Sequence, residues 1–287
     1  MNNTIPGYRL ALAALLVLAA HTAYASYSVP DTQPPALSST TALPLPARQH
    51  SSPTGSAFLR ATAQSTPAER ERAILREIRA GNVPGHIRAL TPVQLDHNGH
   101  LATVYVTPDY LALGSDDDYV VIPMAPRTAM RIAREFGFTL PTRKLVDDIY
   151  QHSTLRLTPE PMYPGARMTS NAYYREHDRR IKAQRSRSKG SPALIAGHKK
   201  DVVLSTRLVK LPHRVAIYGW HRLDGRPIQP LSLVHGISYV DYSHGVRLVS
   251  RAALLDGREV DISQILADRE LNALLSDEGP LSKQSYL

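Results

Sequence analysis

Four short polar blocks hold the side chains best suited to chemistry. They are Gly197-His198-Lys199-Lys200-Asp201, Tyr218-Gly219-Trp220-His221, the lone His235, and Tyr239-Val240-Asp241-Tyr242-Ser243-His244-Gly245, closed by Arg247. Five of the 12 histidines (His198, His213, His221, His235 and His244) fall in this stretch, together with the single tryptophan. Histidine titrates nearest to neutral pH and is a common metal ligand. Each block borders an apolar β-like run, and the end of such a scaffold is where functional groups are commonly held.

Three chemistries compete for these residues. In the first, His235, Asp241 and His244 bind zinc, and His221 or His198 serves as a further ligand or proton carrier. Two histidines and a carboxylate leave an open position for a water nucleophile. In the second, Ser243 is a nucleophile oriented through Asp241 or Asp201. Adjacent strand residues face opposite sides, so its base would be His198, His221 or His235 rather than His244. The first glycine of a serine elbow is missing before Asp241, and a catalytic carboxylate pair of Asp201 and Asp241 would lack any nearby glutamate. In the third, the same groups form a hydrogen-bonded network or a pocket without catalysis. Lys200, Trp220, Tyr239 and Arg247 are the candidates for holding substrate. No glycine-rich phosphate loop or dinucleotide fingerprint is present, which argues against a nucleotide cofactor.

The elements that must position these groups can be read from periodicity. Strands are expected over 90–95 and 101–106, joined by Asp96-His97-Asn98-Gly99, and over 119–124, entered through Ser115-Asp116-Asp117-Asp118. Those three carboxylates lack the spacing of a calcium loop, and a solvated turn is expected instead. Helices are expected over 126–136, 141–152 and 171–187, from their apolar spacing. Short strands follow over 193–195, 202–208, 215–218 and 246–250, with a hairpin turn at Asp224-Gly225. A last helix is expected over 261–275. Helices in the middle with strands on both sides predict an α+β fold with a mixed or antiparallel sheet and a central helical group.

The first 25 residues have the form of a secretory signal peptide. Arg9 precedes an apolar run from Leu10 to Ala20, and Ala23-Tyr24-Ala25 is a small-residue cleavage site. The run is about half the roughly 20 residues of a membrane span, so no anchor is expected after cleavage, and the mature chain is expected in the periplasm or outside the cell. No twin-arginine pair precedes the run, which argues against a cofactor loaded in the cytoplasm. Residues 26–65, rich in Pro, Ser and Thr, are expected to be a disordered tether. Thr66-Pro67-Ala68-Glu69 is a capping box with proline at the first helical position, so one folded domain is expected over 66–287.

The 34 Lys and Arg outnumber the 25 Asp and Glu, giving a formal charge of +9, and cysteine is absent. That absence excludes disulfides, cysteine nucleophiles, thiolate zinc sites and iron–sulfur clusters. Between Arg175 and Lys200 nine cations face two carboxylates. This suggests one local basic feature in an otherwise balanced domain. It could be a solvated helix face or an attractor for an anionic envelope polymer or lipid head group. Export and the lack of stacking aromatics beyond Tyr173 and Tyr174 argue against nucleic acid.

The blocks 197–203, 216–221 and 239–247, with Leu140-Pro141-Thr142 and Val146-Asp147-Asp148-Ile149-Tyr150, resemble a family of secreted bacterial proteins of uncharacterised function. The resemblance covers most of the chain after Glu69 and implies a single domain without implying a reaction. The leading expectation is an exported hydrolase acting on a cell-envelope or extracellular polymer through His198, Asp201, His221, His235, Asp241, Ser243 and His244. The alternative is a non-catalytic periplasmic binding or scaffold protein whose basic helix holds an anionic ligand.

Overall fold

Six helices and fourteen mostly short strands build an α+β domain in the computed structural model, which describes Met1, residues 41–188 and 193–282, and Tyr286. The expected signal peptide, residues 26–40 of the expected tether and Lys189 of the basic run lie outside the described residues. The helices are α1 (Gly55–Ala61), α2 (Pro67–Arg79), α3 (Pro126–Glu135), α4 (Arg143–His152), α5 (Asn171–Arg185) and α6 (Ile262–Ala267). The first seven strands are β1 (Thr91–His97), β2 (His100–Val106), β3 (Ala112–Gly114), β4 (Tyr119–Val121), β5 (Phe138–Thr139), β6 (Leu155–Arg156) and β7 (Ile195–Ala196). The rest are β8 (Lys200–Val202), β9 (Ile217–His221), β10 (Pro227–Ser232), β11 (His244–Gly245), β12 (Val249–Ser250), β13 (Ala252–Leu255) and β14 (Arg258–Asp261).

Local chemistry accounts for the main boundaries. The Thr66–Glu69 capping box forms, with the Glu69 carboxylate accepting from the Thr66 amide at 2.8 Å. Thr142 and Ser170 cap α4 and α5 by accepting from the amides of Leu145 and Tyr173. The β1–β2 hairpin turns through Asn98 and Gly99, both at positive φ, the conformation a two-residue hairpin loop requires. β2 is the hub of a six-stranded antiparallel sheet: β1 lies along it, and β12 and β13 pair with it at separate registers, extending the sheet to β5 and β14. A second sheet, ordered β10-β9-β8-β11, is antiparallel except where β11 runs parallel to β8. One continuous apolar core joins these layers, from Leu43 and Phe58 to Leu275 and Tyr286.

Three expectations need correction. Residues 41–65 are packed, not a tether. Ala42 bridges to Ala89, Leu43, Phe58 and Leu59 are buried, and Arg48 donates to Asn82 Oδ1 at 2.9 Å. A tract's average composition hides a few apolar anchors, and these suffice to dock it. The Asp118 carboxylate completes the docking by accepting from the Ser56 amide at 3.1 Å, while Asp116 accepts from the His86 amide at 3.1 Å, so the acidic turn is a structural anchor. The run 202–208 is strand only to Val202, because Ser205 caps a 3-10 turn over Thr206–Val209. The last helix is divided: Asp261 ends β14 and caps α6, and Asp268 accepts from the Leu271 amide at 2.9 Å to start a separate 3-10 turn. Among the described residues no helix is long and apolar enough to cross a membrane.

Candidate functional site

The second sheet brings the sequence blocks together. Asp201 lies opposite Tyr218 across β8 and β9, and Lys200 and Asp201 lie beside His244 and Gly245 across β8 and β11. The decisive local feature is in β9. Gly219 has φ +103° and Trp220 has φ +58°, a region that a tryptophan seldom occupies. A Cβ on Gly219 would come within 3.2 Å of Val146 Cγ1 and 3.4 Å of the His221 ring, so glycine is required there. The pleat is thereby broken. Tyr218 and His221, three residues apart and on opposite faces of a regular strand, both turn to the same carboxylate.

That carboxylate is Asp147 of α4. His221 Nε2 lies 2.7 Å from its Oδ1, and the Tyr218 hydroxyl donates to its two oxygens at 2.9 and 3.0 Å. The His221 side chain is nearly sealed at 3% exposure, whereas Asp147 is 35% exposed, so the carboxylate is the member open to a ligand. Asp147, Tyr150 and Gln151 share one face of α4 at spacings of three and four. The Tyr150 ring stacks on His221 at 4.5 Å, its hydroxyl donates to the Arg222 carbonyl, and the Arg156 guanidinium lies 5.0 Å from its centroid. Together with Leu223, Asp224, Gly225 and Pro227, these residues line an open cleft of about 330 Å³.

Behind His221 lies Asp201, 2% exposed and lining the same internal space as His221, Tyr110 and Arg247. Burial pushes its carboxyl up to about 6, against the opposing pull of Arg247 and the Tyr110 hydroxyl, which donates to Oδ2 at 2.7 Å. Arg247 donates to the carbonyls of Thr107 and Ile195, each at 2.6 Å, and lies 4.6 Å from the centroid of the Tyr110 ring. It is a strut between strands, 1% exposed, so the expectation that it holds substrate is corrected.

Tyr239, Asp241, Ser243, His244 and His235 form a separate group around the Asp241 carboxylate. Asp241 accepts from the Ser243 amide at 2.8 Å, the Ser243 hydroxyl at 2.5 Å and the Tyr239 hydroxyl at 3.1 Å. Ser243 thus donates to a carboxylate and to no histidine, and it is fully buried, which corrects its assignment as nucleophile. His244 Nε2 stands 3.9 Å from Asp241, neither ring nitrogen is hydrogen-bonded, and burial pushes its pKa down to about 4. His235 stacks on Tyr239 at 4.0 Å. Among the described residues no three His, Asp or Glu side chains are grouped to hold a metal ion, and His235, Asp241 and His244 are not brought together as a ligand set. Trp220 is 5% exposed, which corrects the expectation that it holds substrate, and the half-buried Lys200 amine lies 5.0 Å from its ring centroid.

His198 belongs to a third group. It is fully buried, with Nε2 at 3.3 Å from Asp109 Oδ1 but off the hydrogen-bond direction. Burial would raise the Asp109 pKa, yet His198, Arg247 and Arg185 bring it down to about 2. Lys199 is buried too, donating to the Tyr242 carbonyl at 2.6 Å, and burial pushes its pKa down to about 8. Four cations of the basic run are paired with carboxylates. Lys182 pairs with Asp178 at 2.8 Å, Arg185 with Asp109 at 3.2 Å, and Arg179 and Arg180 with Glu176 at 2.9 Å.

Sequence reasoning reached His221 and Asp201 but missed Asp147, Tyr150 and Tyr110. The available signal was the polar pair Asp147 and Gln151 opposite the buried Leu145, Val146 and Ile149 of α4. Comparisons with family models, curated proteins and solved structures find no match.

Proposed function

We propose that the chain is an exported hydrolase whose reactive carboxylate is Asp147, acting on a cell-envelope or extracellular polymer. The observation that carries this reading is the 2.7 Å contact of His221 Nε2 with an Asp147 carboxylate facing an open cleft. Asp147 would take a proton from an attacking water and pass it to the leaving group as the scissile bond breaks. Tyr218 and His221 hold the carboxylate in one orientation throughout. Gln151 and Asp224 supply hydrogen bonds to a polar substrate. The signal-like first 25 residues support export.

The test is turnover of purified protein on chromogenic esters, amides and glycosides and on cell-wall digests, comparing the wild type with Asp147→Asn and His221→Gln. Loss of the general base should lower kcat by at least about 100-fold at unchanged melting temperature. Turnover by neither form, or equal turnover by both, refutes the reading.

The alternative, a non-catalytic protein holding an anionic envelope ligand on its basic helix, has one specific support. α5 lines a groove of about 650 Å³ with Arg175, Arg179 and Lys182, joined by Arg167. The ion pairs of Arg179 and Lys182 leave Arg167 and Arg175 to meet a ligand, which is why the acid–base cleft is preferred.

A further inference from the structure

A second concentration of positive charge on the described surface lies apart from α5, on α2 and α3. On α2, Arg72, Arg76 and Arg79 recur at spacings of four and three; on α3, Arg127, Arg131 and Arg134 do the same. Such spacing keeps a residue type on one helical face. The two helices are held side by side by the Glu71 carboxylate, which accepts from the Ala125 amide at 3.0 Å at the start of α3. Between them runs an open groove of about 630 Å³. Five arginines line it (Arg72, Arg79, Arg127, Arg131 and Arg134) against two carboxylates, Glu71 and Glu135. Glu135 is committed to Arg79 at 2.6 Å. Glu71 is turned toward the α3 N-terminus, and burial raises its pKa. Arg72, Arg127 and Arg131 are exposed and form no salt bridge with a described residue.

We propose that this α2/α3 groove binds a linear phosphate polymer. The cations are all arginine, whose planar fork pairs with phosphate oxygens two at a time, where lysine would act as a point charge. From its first to its last arginine each stripe covers seven helical rises of about 1.5 Å, about 10 Å along its helix, enough for successive charges of a chain rather than one isolated anion. The lining contains no Tyr, Trp, Phe or His, so it offers no platform for bases to stack on. That favours a bare phosphate chain over single-stranded nucleic acid. The proposal does not rest on the hydrolytic reading of the Asp147 cleft.

The test is fluorescence anisotropy of an end-labelled linear polyphosphate titrated with the full chain at two salt concentrations. Arg127→Gln with Arg131→Gln should weaken binding at least about 10-fold and flatten the salt dependence by about two charges. Both positions are exposed on a helix and glutamine is a good helix former, so an unchanged melting temperature is expected and is measured alongside. Arg175→Gln with Arg187→Gln on and beyond α5, removing the same net charge, should leave affinity within about twofold. Three competitors complete the experiment: inorganic phosphate, vesicles of anionic lipid, and an oligonucleotide of equal charge. Each should compete more weakly than unlabelled polyphosphate. The proposal is overturned if the α5 pair weakens binding as much as the α3 pair, which would indicate only net charge. It is also overturned if any of the three competitors displaces the probe as well as polyphosphate does, or if no polyphosphate binds.

Discussion

Asp201→Asn should make the protein more stable at neutral pH while changing little in mild acid. Asp201 is sealed between β8, β9 and the Tyr110 ring, and burial lifts its pKa from 3.8 to about 6. The folded protein therefore keeps a proton that the unfolded chain gives up as the pH rises from about 4 to 6. In that window the native state binds more protons, so stability falls with rising pH. A shift of about two units corresponds to about 3 kcal/mol lost by pH 7.5. Asparagine removes the ionisation while its side-chain oxygen can still accept from the Tyr110 hydroxyl, now at 2.7 Å from Asp201 Oδ2. The difference between variant and wild type should then be near zero at pH 4 and grow to about 3 kcal/mol by pH 7.5.

Urea unfolding at several pH values measures this, with the single, buried Trp220 as the fluorophore. At a slope near 3 kcal/mol per molar urea, the midpoint of the variant should lie about 1 M above the wild type at pH 7.5. Taking the difference cancels the opposite trend of Asp109, whose carboxyl is held down at about 2 and whose contribution is lost only in strong acid. A difference that stays flat from pH 4 to 7.5 would refute the reasoning. It would mean that Arg247 fully offsets the burial cost and that Asp201 is ionised in the fold at every pH in the range.

Two further outcomes bear on the corrections to the sequence reading. A chain beginning at Thr66 should fail to give a cooperative transition, since it loses Leu43, Phe58 and Leu59 from the core and the Asp118–Ser56 contacts; a melting temperature equal to that of a chain beginning at Thr41 would contradict the packing of 41–65. Ser243→Ala should cost about 1–2 kcal/mol by removing the 2.5 Å bond to Asp241, with turnover on any substrate of the Asp147 cleft unchanged within about twofold. Abolished turnover in a folded Ser243→Ala protein would restore serine as the nucleophile.

Elements carrying strong local signals were legible in the sequence. The α2 capping box, the Asn98-Gly99 turn and the apolar faces of α3, α4 and α5 each specify their own geometry within a few residues. The strand at 202–208 and the helix at 261–275 failed where side chains of Ser205, Asp261 and Asp268 capped new turns inside apolar stretches. The β13–β14 hairpin was missed although Asp256-Gly257 is a turn pair. The site was half legible. Histidine and aspartate density located His221 and Asp201, but residue type says nothing about exposure, and His198, Ser243, His244 and Arg247 proved to be interior. The partner that makes His221 accessible to chemistry, Asp147, lies 74 residues earlier on a helix whose polar face looked like ordinary solvent-facing surface. Charge misled in a similar way. The run 175–200 has the highest linear density, but Lys182, Arg185 and Lys199 are turned inward, whereas the five arginines of α2 and α3 that line one groove are dispersed in sequence and converge only through the helical repeat.

The backbone of β9 links these observations into one argument about the cleft. A tryptophan at φ +58° costs on the order of 1–3 kcal/mol relative to a relaxed strand, and such strain persists only where the surroundings impose it. Here the Trp220 ring is buried near Tyr242 and His177, its centroid 6.3 and 6.4 Å from theirs, and its amide donates to the Lys199 carbonyl, so the interior fixes the conformation. The consequence lies two residues away in each direction at most: Tyr218 and His221 reach the same carboxylate, which a regular pleat forbids. The strain is accounted for if the position of Asp147, gripped from two sides at the mouth of a cleft, is what the strand is shaped to produce.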